Sequence, residues 1–269
     1  MSRRPPTAGT PTRRSGRLPL LVPAWLAVAV LLVPLAALLL SVDWPNFFGD
    51  LGSPLVWQAL RLSAITTSAT LLITLLLGTP LAWLLARSEH RLTAWLRALV
   101  TVPLVLPPVV GGVALLTAYG RNGVLGGPLE HAFGITLPFT TVAVVLAEVF
   151  VALPFYVISV EGSMRGLHRG YDRMAATLGA SPVRTFLRVV VPMVGPGIAA
   201  GAALAWARAL GEFGATITFA GSFPGRTQTA PLAVYSALEQ DPQAAVTLSA
   251  LMLVVCVVVL GSLRSRWLV

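Results

Sequence analysis

Residues 62–86 read LSAITTSATLLITLLLGTPLAWLLA, a run of 25 residues without a charged side chain. An α-helix rises about 1.5 Å per residue, so a helix of this length exceeds the ~30 Å hydrocarbon core of a bilayer. Of the 269 residues in the chain, 56% are hydrophobic and 11% are charged, whereas soluble domains average roughly 25% charged residues. The sequence therefore predicts a protein whose solvent is the membrane.

Five further apolar runs lie on both sides of this one. We predict them at Leu18–Leu40, Ala98–Tyr119, Thr136–Val160, Val189–Ala207 and Ala244–Leu263. Together the runs indicate an all-α fold, a polytopic bundle of about six transmembrane helices. The first run is too long for a cleaved signal peptide. Residues 1–17, rich in proline and arginine, are predicted to be a disordered cytoplasmic tail, and residues 18–269 the transmembrane domain.

Arginine alternates between the two sides of the predicted bundle. The N-terminal tail, the connection at 87–97, the connection at 161–188 and the C-terminal tail are rich in arginine, and the connections between them are poor in it. Arginine-rich connections remain on the cytoplasmic side of a membrane. We therefore expect a multi-pass protein of the plasma or inner membrane with both termini in the cytoplasm.

The composition also excludes several kinds of chemistry. All 19 basic residues are arginine, so the chain lacks the lysine of a nucleotide-binding P-loop. The arginines form no basic stripe along a polar face, which argues against nucleic acid as a partner. Cys256 is the single cysteine, and the three histidines have no metal-ligand spacing. We predict no catalytic residue, no metal site and no cofactor, hence a protein that is not an enzyme.

The long arginine-rich connection contains the sequence YDRMAATLGASPVRTFLRVVVP at 171–192. It predicts a helix up to Leu178, a turn at Gly179 and a second helix, with Ser181 as its N-cap and Pro182 as its first residue. An amphipathic helix bound to lipid is one interpretation. Small residues in the segment instead favour contact with a groove on a protein. These small residues are Ala175, Ala176, Gly179 and Ala180.

This segment resembles the cytoplasmic coupling loop of ABC-type importer permeases. The pattern of that loop is Glu-Ala-Ala, three residues, Gly, nine residues, then Ile-x-Leu-Pro. Ala175 matches the second alanine, Gly179 the glycine and Pro192 the proline. Arg173 stands where the glutamate is expected, and Asp172 is one residue earlier. The resemblance implies that residues 161–188 form a loop that docks on an ATPase subunit.

Prolines and glycines interrupt the third apolar run. A single regular helix cannot accommodate all of them, because proline removes a backbone donor and glycine loosens the helix. They are Pro103, Pro107, Pro108, Gly111 and Gly112. Broken helices at membrane depth are tolerated where they line a cavity, and their freed amides would there face an oxyanion. A simple proline kink explains the same pattern equally well.

Arg208 and Glu212 are four residues apart, so they are expected to share one face of a helix. A structural ion pair is one interpretation, and residues that line a solute path are the other. The sequence RALGEFGAT at 208–216, with PGRTQT at 224–229, looks like the molybdate permease branch of the ABC importers, whose relatives carry sulfate or tungstate. This resemblance covers residues 55–260.

The resemblance implies a type I ABC importer permease fold and a set of partners. The partners would be a second copy of the chain, cytoplasmic ABC ATPase subunits, an external solute-binding protein and the surrounding lipid, with an oxyanion as the solute. Mapped onto this chain, the candidates for the translocation path are Pro107, Pro108, Arg208, Glu212, Thr216 and Thr218.

Two other classes of function remain open. An ion-coupled secondary transporter would use Glu148, within the fourth apolar run, or Glu212 as its proton carrier. A buried, hydrogen-bonded carboxyl is the simpler interpretation of Glu148. The other class is a membrane anchor or scaffold that transports nothing. Among the solutes, molybdate, tungstate and sulfate are not separated by the sequence.

Overall fold

The residues that the computed structural model describes are 18–47, 49, 52–88, 90–168 and 170–264. They form helices joined by turns and loops, with no strand among them. The chain divides into two compact units, one that ends at Val42 and one that begins at Asp43. The tail predicted at 1–17 lies outside the described residues.

The first unit contains α1, which runs from Leu18 to Leu40 and holds Pro23 and Pro34 inside it. Residues Leu20–Leu40 of this helix are long and apolar enough to cross a membrane. The first predicted span is therefore confirmed as a continuous apolar helix.

The second unit contains the remaining described helices, some of them too short to span a bilayer. In chain order they are α2 (Pro54–Arg87), α3 (Arg91–Val105), α4 (Pro108–Tyr119), α5 (Gly126–Phe133), α6 (Thr141–Gly166), α7 (Gly170–Thr177), α8 (Pro182–Met193), α9 (Gly195–Leu210), α10 (Gly214–Ala220), α11 (Ala230–Gln240) and α12 (Pro242–Arg264). Within α8, residues Phe186–Val190 form a π-helical segment.

Candidate membrane spans are of two kinds. Helices α1, α2, α6 and α12 are each long and apolar enough to cross a membrane alone. The pairs α3 with α4 and α8 with α9 reach that length only together, and they are bent by 117° and 77°. The described residues thus provide four spans, or six when each bent pair is counted as one, in agreement with the predicted bundle.

The third and fifth predicted spans are not continuous helices. The break in the third agrees with the interruption that its prolines and glycines indicated, whereas the break in the fifth corrects the expectation of one helix over Val189–Ala207. The third is interrupted between Val105 and Pro108, where proline withholds a backbone donor. The fifth is interrupted at Val194, which lies between Met193, the last residue of α8, and the Gly-Pro-Gly sequence that begins α9. The helix that follows the Gly179 turn therefore bends before it enters the bundle.

Helix α6 is central to the second unit. Its C-terminal half packs against α2 and α9, where Tyr156 and Val160 are buried beside Leu85. Its N-terminal half packs against α4 and α10, where Ala147 is buried beside Phe219. Small residues at such contacts let helix backbones approach closely, which stabilises helix pairs in a membrane. The packing of α6 thus positions both the α7–α8 segment and the two broken helices.

Candidate coupling segment and transport path

The segment from Gly170 to Met193, called here the coupling segment, is a helix–turn–helix as predicted. Gly179 has a φ of +78°, a left-handed conformation that glycine adopts without strain. The amide of Ala180 donates to the carbonyl of Ala175 at 3.0 Å, and that of Gly179 to Ala176 at 3.0 Å. This pair of hydrogen bonds is a Schellman motif, which ends α7 at a fixed angle.

The second helix of the coupling segment also begins as the sequence predicted. The hydroxyl of Ser181 accepts a hydrogen bond from the amide of Arg184 at 3.3 Å, and Pro182 is the first helical residue. Near its end, the amide of Val191 bonds to the carbonyl of Phe186 in the π-helical pattern. Pro192 follows immediately, has no amide to donate and lies exposed just before the bend at Val194.

Arg87, the last residue of α2, attaches the coupling segment to the bundle. Its Nε lies 3.0 Å from Oδ2 of Asp172, and the Arg87 side chain is only 11% exposed. Its Nη1 donates to the carbonyl of Leu167 at 3.3 Å, just beyond the end of α6. On the same helix as Asp172, Ala175 is buried. The acidic residue of α7 therefore faces into the chain.

Glu161 forms a second ionic cluster near the ends of α2 and α6. Its Oε1 accepts from Nε of Arg97 at 2.8 Å and lies 2.9 Å from Nη2 of Arg165. Arg97 also donates to the carbonyl of Leu85 at 3.0 Å. The cluster joins α3, α6 and α2, so three helices are tied together beside the coupling segment.

The outer face of the coupling segment carries arginines and large apolar side chains. Arg173 is exposed, and so is Ala176 beside it. Leu178, at the turn, is 87% exposed, and Ala180 is partly buried. Asp172 and Arg173 are adjacent in the sequence, yet one contacts Arg87 and the other faces outward.

The break between α3 and α4 lies against the turn between α9 and α10. A Cβ atom on Gly214 would lie 2.6 Å from Cβ of Pro108, and one on Gly112 would lie 2.6 Å from Cβ of Thr218. Only residues without side chains permit such close approach. The structure thus brings Pro108 and Thr218 into one packed region, with Pro107 exposed at its edge.

Arg208 and Glu212 form the ion pair that their spacing predicted, but they do not share a helix face, because α9 ends at Leu210 and Glu212 lies in the turn before α10. Nη2 of Arg208 lies 2.7 Å from Oε2 of Glu212, whose side chain is 1% exposed. The other carboxylate oxygen accepts from the amide of Ala215 at 2.7 Å, so Glu212 also caps the start of α10. The guanidinium of Arg208 lies 6.0 Å from the ring centroid of Phe155. Glu212 therefore has a structural role in the observed conformation.

The two threonines of the predicted path differ in their surroundings. Thr216 is fully buried, and its hydroxyl has no hydrogen-bond partner among the described residues. Thr218 donates to the carbonyl of Gly214 at 2.9 Å within its own helix. The place of both threonines in the translocation path stays a prediction.

Glu148 of α6 is a buried, hydrogen-bonded carboxyl, as the simpler interpretation expected. The hydroxyls of Thr66 and Thr70 donate to its two oxygens, each at 2.8 Å. Both threonines lie on α2, so these bonds join α2 to α6. Among the described residues, no group of three or more His, Cys, Asp or Glu side chains is arranged to hold a metal ion.

Comparison with known proteins identifies the family of this chain. The sequence profile of the binding-protein-dependent transport system inner membrane component matches residues 78–267. The chain belongs to this family. This permease is 50% identical over 245 residues to the molybdenum transport system permease protein ModB of Mycobacterium tuberculosis, covering 91% of this chain and 92% of that protein.

Further matches extend the same conclusion. ModB of Escherichia coli K12 is 38% identical over 212 residues, covering 79% of this chain and 93% of the relative. A solved bacterial ABC transporter that imports the acidic polysaccharide alginate matches with a TM-score of 0.71 at 15% identity, covering 92% of this permease and 93% of that chain. The fold is that of a type I ABC importer permease, in a multi-pass protein of the inner membrane.

Several of these site residues were not predicted from the sequence. Arg87 and Arg97 contact residues more than sixty positions away, so no local pattern pointed to them. Glu161 and Arg165 are four residues apart on α6, a spacing that would have indicated their ion pair.

Proposed function

We propose that this permease is the membrane-spanning subunit of an ATP-driven importer of a tetrahedral oxyanion, with molybdate as the first candidate. The observation that carries the proposal is the likeness, over most of the chain, to permeases named for molybdenum transport. Sulfate and tungstate, which have the same tetrahedral shape, are the alternatives. The working complex would contain two copies of this chain, two cytoplasmic ATPase subunits and an external binding protein.

Energy for transport would come from the ATPase subunits. The chain has no lysine and so no P-loop of its own. The coupling segment supports the proposal because it presents a rigid turn at Gly179 while Asp172 is held by Arg87. Closure of the ATPase dimer on ATP would displace this segment as one body, and the helices would rock between inward-open and outward-open states.

The chain offers a direct route from the coupling segment to the broken helices. Helix α8 continues through the bend at Val194 into α9, which ends next to the Arg208–Glu212 pair. Glu212 caps α10, and α10 packs on α4. A displacement at the coupling segment would therefore reach the α3–α4 break through α9 and α10.

The charges near this break suit a path rather than a tight binding site. Arg208 is the arginine of α9, and its charge is compensated by Glu212, which lies two residues before Gly214 at the packed break. A solute that must leave the path needs weak contacts along it. Selectivity among oxyanions would then reside mainly in the external binding protein.

Uptake by proteoliposomes that contain the permease, its ATPase subunit and the loaded binding protein tests this function. We expect molybdate to enter only when ATP is supplied to the ATPase side, and tungstate and sulfate to compete according to the binding protein. Dissipating the proton gradient should leave uptake unchanged. Uptake driven by a proton gradient without the ATPase would contradict the proposal and favour a secondary transporter that uses Glu148 or Glu212.

A further inference from the structure

The acidic and basic side chains of the coupling segment face in different directions. Asp172 is the single carboxylate between Gly170 and Met193, and it is turned toward Arg87. The segment also contains Arg173, Arg184 and Arg188, all exposed. Within the described part of the chain, no ion pair or hydrogen bond engages their guanidinium groups. The outward charge of the segment is therefore wholly positive.

Large apolar side chains lie between these arginines. Their exposed fractions are far above those of core residues, and they come from both helices and from the turn. They are Met174 at 63%, Leu178 at 87%, Val183 at 67% and Leu187 at 58%. Together with the three arginines they form the surface called here the docking face. Such a surface requires an apolar partner with negative charge around it.

A protein groove fits the docking face better than lipid headgroups do. The Schellman motif at Gly179 and the Ser181 cap hold the two helices in one arrangement, and Arg87 fixes α7 to α2. A preorganised surface lowers the entropic cost of forming a specific complex, whereas adsorption to lipid needs no fixed turn. A Cβ atom on Gly179 would meet nothing within 4 Å among the described residues, which leaves the turn open to a partner.

We propose that the docking face binds an apolar groove of the ATPase subunit whose rim carries carboxylates, and that Arg173 pairs with one of them. Arg173 is the residue of choice because it is adjacent to the anchored Asp172, so its backbone position is the most constrained of the three. The inference rests on the proposed function, since it assumes that the segment docks on an ATPase. It adds the sign of the contact, basic on the permease and acidic on the ATPase.

Affinity between the purified permease and its ATPase subunit, measured at several salt concentrations, tests the sign of this contact. Arg173→Glu should weaken binding about tenfold or more, because like charges across an interface cost several kcal/mol. Arg173→Lys should bind nearly as the parent does, and Arg173→Gln should lie between. The matched control is Arg91→Glu, which reverses an exposed arginine at the start of α3, outside the coupling segment; it should not change the affinity.

Reversal on the partner side completes the experiment. Replacing acidic groove residues of the ATPase one at a time by arginine should weaken binding to the parent permease, and one of them should restore binding to Arg173→Glu. This arm remains informative if Arg173→Glu itself fails to fold. Suppose that Gly179→Asp abolishes binding while Arg173→Glu binds as the parent does at every salt concentration. The proposed ion pair of Arg173 is then wrong, while docking of the segment on the ATPase is supported.

Two other results would also overturn the inference. If neither Gly179→Asp nor Arg173→Glu affects binding to the ATPase, both the docking function and the charge pairing are wrong. If Arg173→Glu leaves ATPase binding intact but reduces binding to vesicles that contain anionic lipid, the docking face belongs to the membrane surface. Weakening of ATPase binding by Arg173→Glu, with rescue by a reversed groove residue, supports the inference.

Discussion

Nε of Arg87 lies 3.0 Å from Oδ2 of Asp172, although the two residues are 85 positions apart in the chain (172 − 87). The contact joins the end of α2 to α7, and the same guanidinium bonds to the carbonyl of Leu167. Because α2 and α6 pack together in one hydrophobic cluster, this arginine links the coupling segment to the core of the second unit.

Loss of the Arg87–Asp172 contact should loosen the coupling segment without unfolding the bundle. For Arg87→Gln and for Asp172→Asn we expect faster amide hydrogen exchange at 170–180 and less uptake per ATP hydrolysed. Residues in one ion pair couple by about 0.5–3 kcal/mol in a double-mutant cycle. Arg91→Gln, at an exposed arginine of α3, is the control. Additive effects of the two substitutions in the cycle, with normal uptake per ATP hydrolysed in both variants, would contradict this role.

Removal of Arg208 should be costly because it leaves a buried carboxylate without its partner. Breaking a buried ion pair from one side costs about 3–5 kcal/mol, and Glu212 is 1% exposed. We therefore expect Arg208→Ala to lower the folded yield and the thermal stability in detergent, and Arg208→Lys to be milder. The combination of Arg208→Met with Glu212→Gln should recover stability, since glutamine still accepts from Ala215. Silent Arg208→Ala and Glu212→Ala variants would show that the pair does not matter.

The contact between α4 and α10 should tolerate no side chain at Gly112. Its Cβ would lie 2.6 Å from Cβ of Thr218 and 2.9 Å from the carbonyl oxygen of Ala215. Overpacking of this kind costs about 1–3 kcal/mol, so Gly112→Ala should lower the melting temperature. Gly162→Ala on α6 is the matched control, because a Cβ there meets nothing within 4 Å. Equal stability of the two variants would contradict the observed packing.

The 117° bend between α3 and α4 allows either a broken span or a loop that re-enters the same side. The arginine pattern favours a broken span, which places both termini in the cytoplasm and Gly134 outside. A reporter fused after Val269 should be active only on the cytoplasmic side, and one fused after Gly134 only on the outer side. Cytoplasmic activity at Gly134 would mean that α3 and α4 re-enter the same side.

Features fixed by neighbouring residues were predictable from the sequence. The Gly179 turn, the Ser181 cap and the Arg208–Glu212 pair each depend on residues within a few positions, and the structure confirms all three. The apolar runs likewise predicted the helices, because a bilayer imposes their minimum length.

Features that depend on folding together of distant segments were not predictable. The threonine partners of Glu148 lie about eighty positions away in the sequence. A carboxyl group within an apolar run does not indicate which distant residues will donate hydrogen bonds to it. The orientation of Asp172 had the same difficulty, since its sequence neighbours suit an outward and an inward direction equally. The bend at Val194 was missed because hydropathy reports the length of an apolar run and not its straightness.

Coupled uptake by Gly179→Asp is the most direct test of the account. Gly179 has a φ of +78°, a conformation that strains L-residues and in which asparagine and aspartate are the more common exceptions, so the aspartate adds a side chain, a negative charge and some backbone strain at the contact. Gly179→Asn is the matched control, which adds nearly the same side chain without the charge.

In liposomes with the ATPase subunit and the loaded binding protein, Gly179→Asp should insert and dimerise normally. It should lose its ATPase subunit, or the stimulation of ATP hydrolysis by the binding protein, and oxyanion uptake should fall with it. Gly179→Asn should be less affected. Normal ATP hydrolysis and uptake in Gly179→Asp would contradict the assignment of the coupling segment as the docking site of the ATPase.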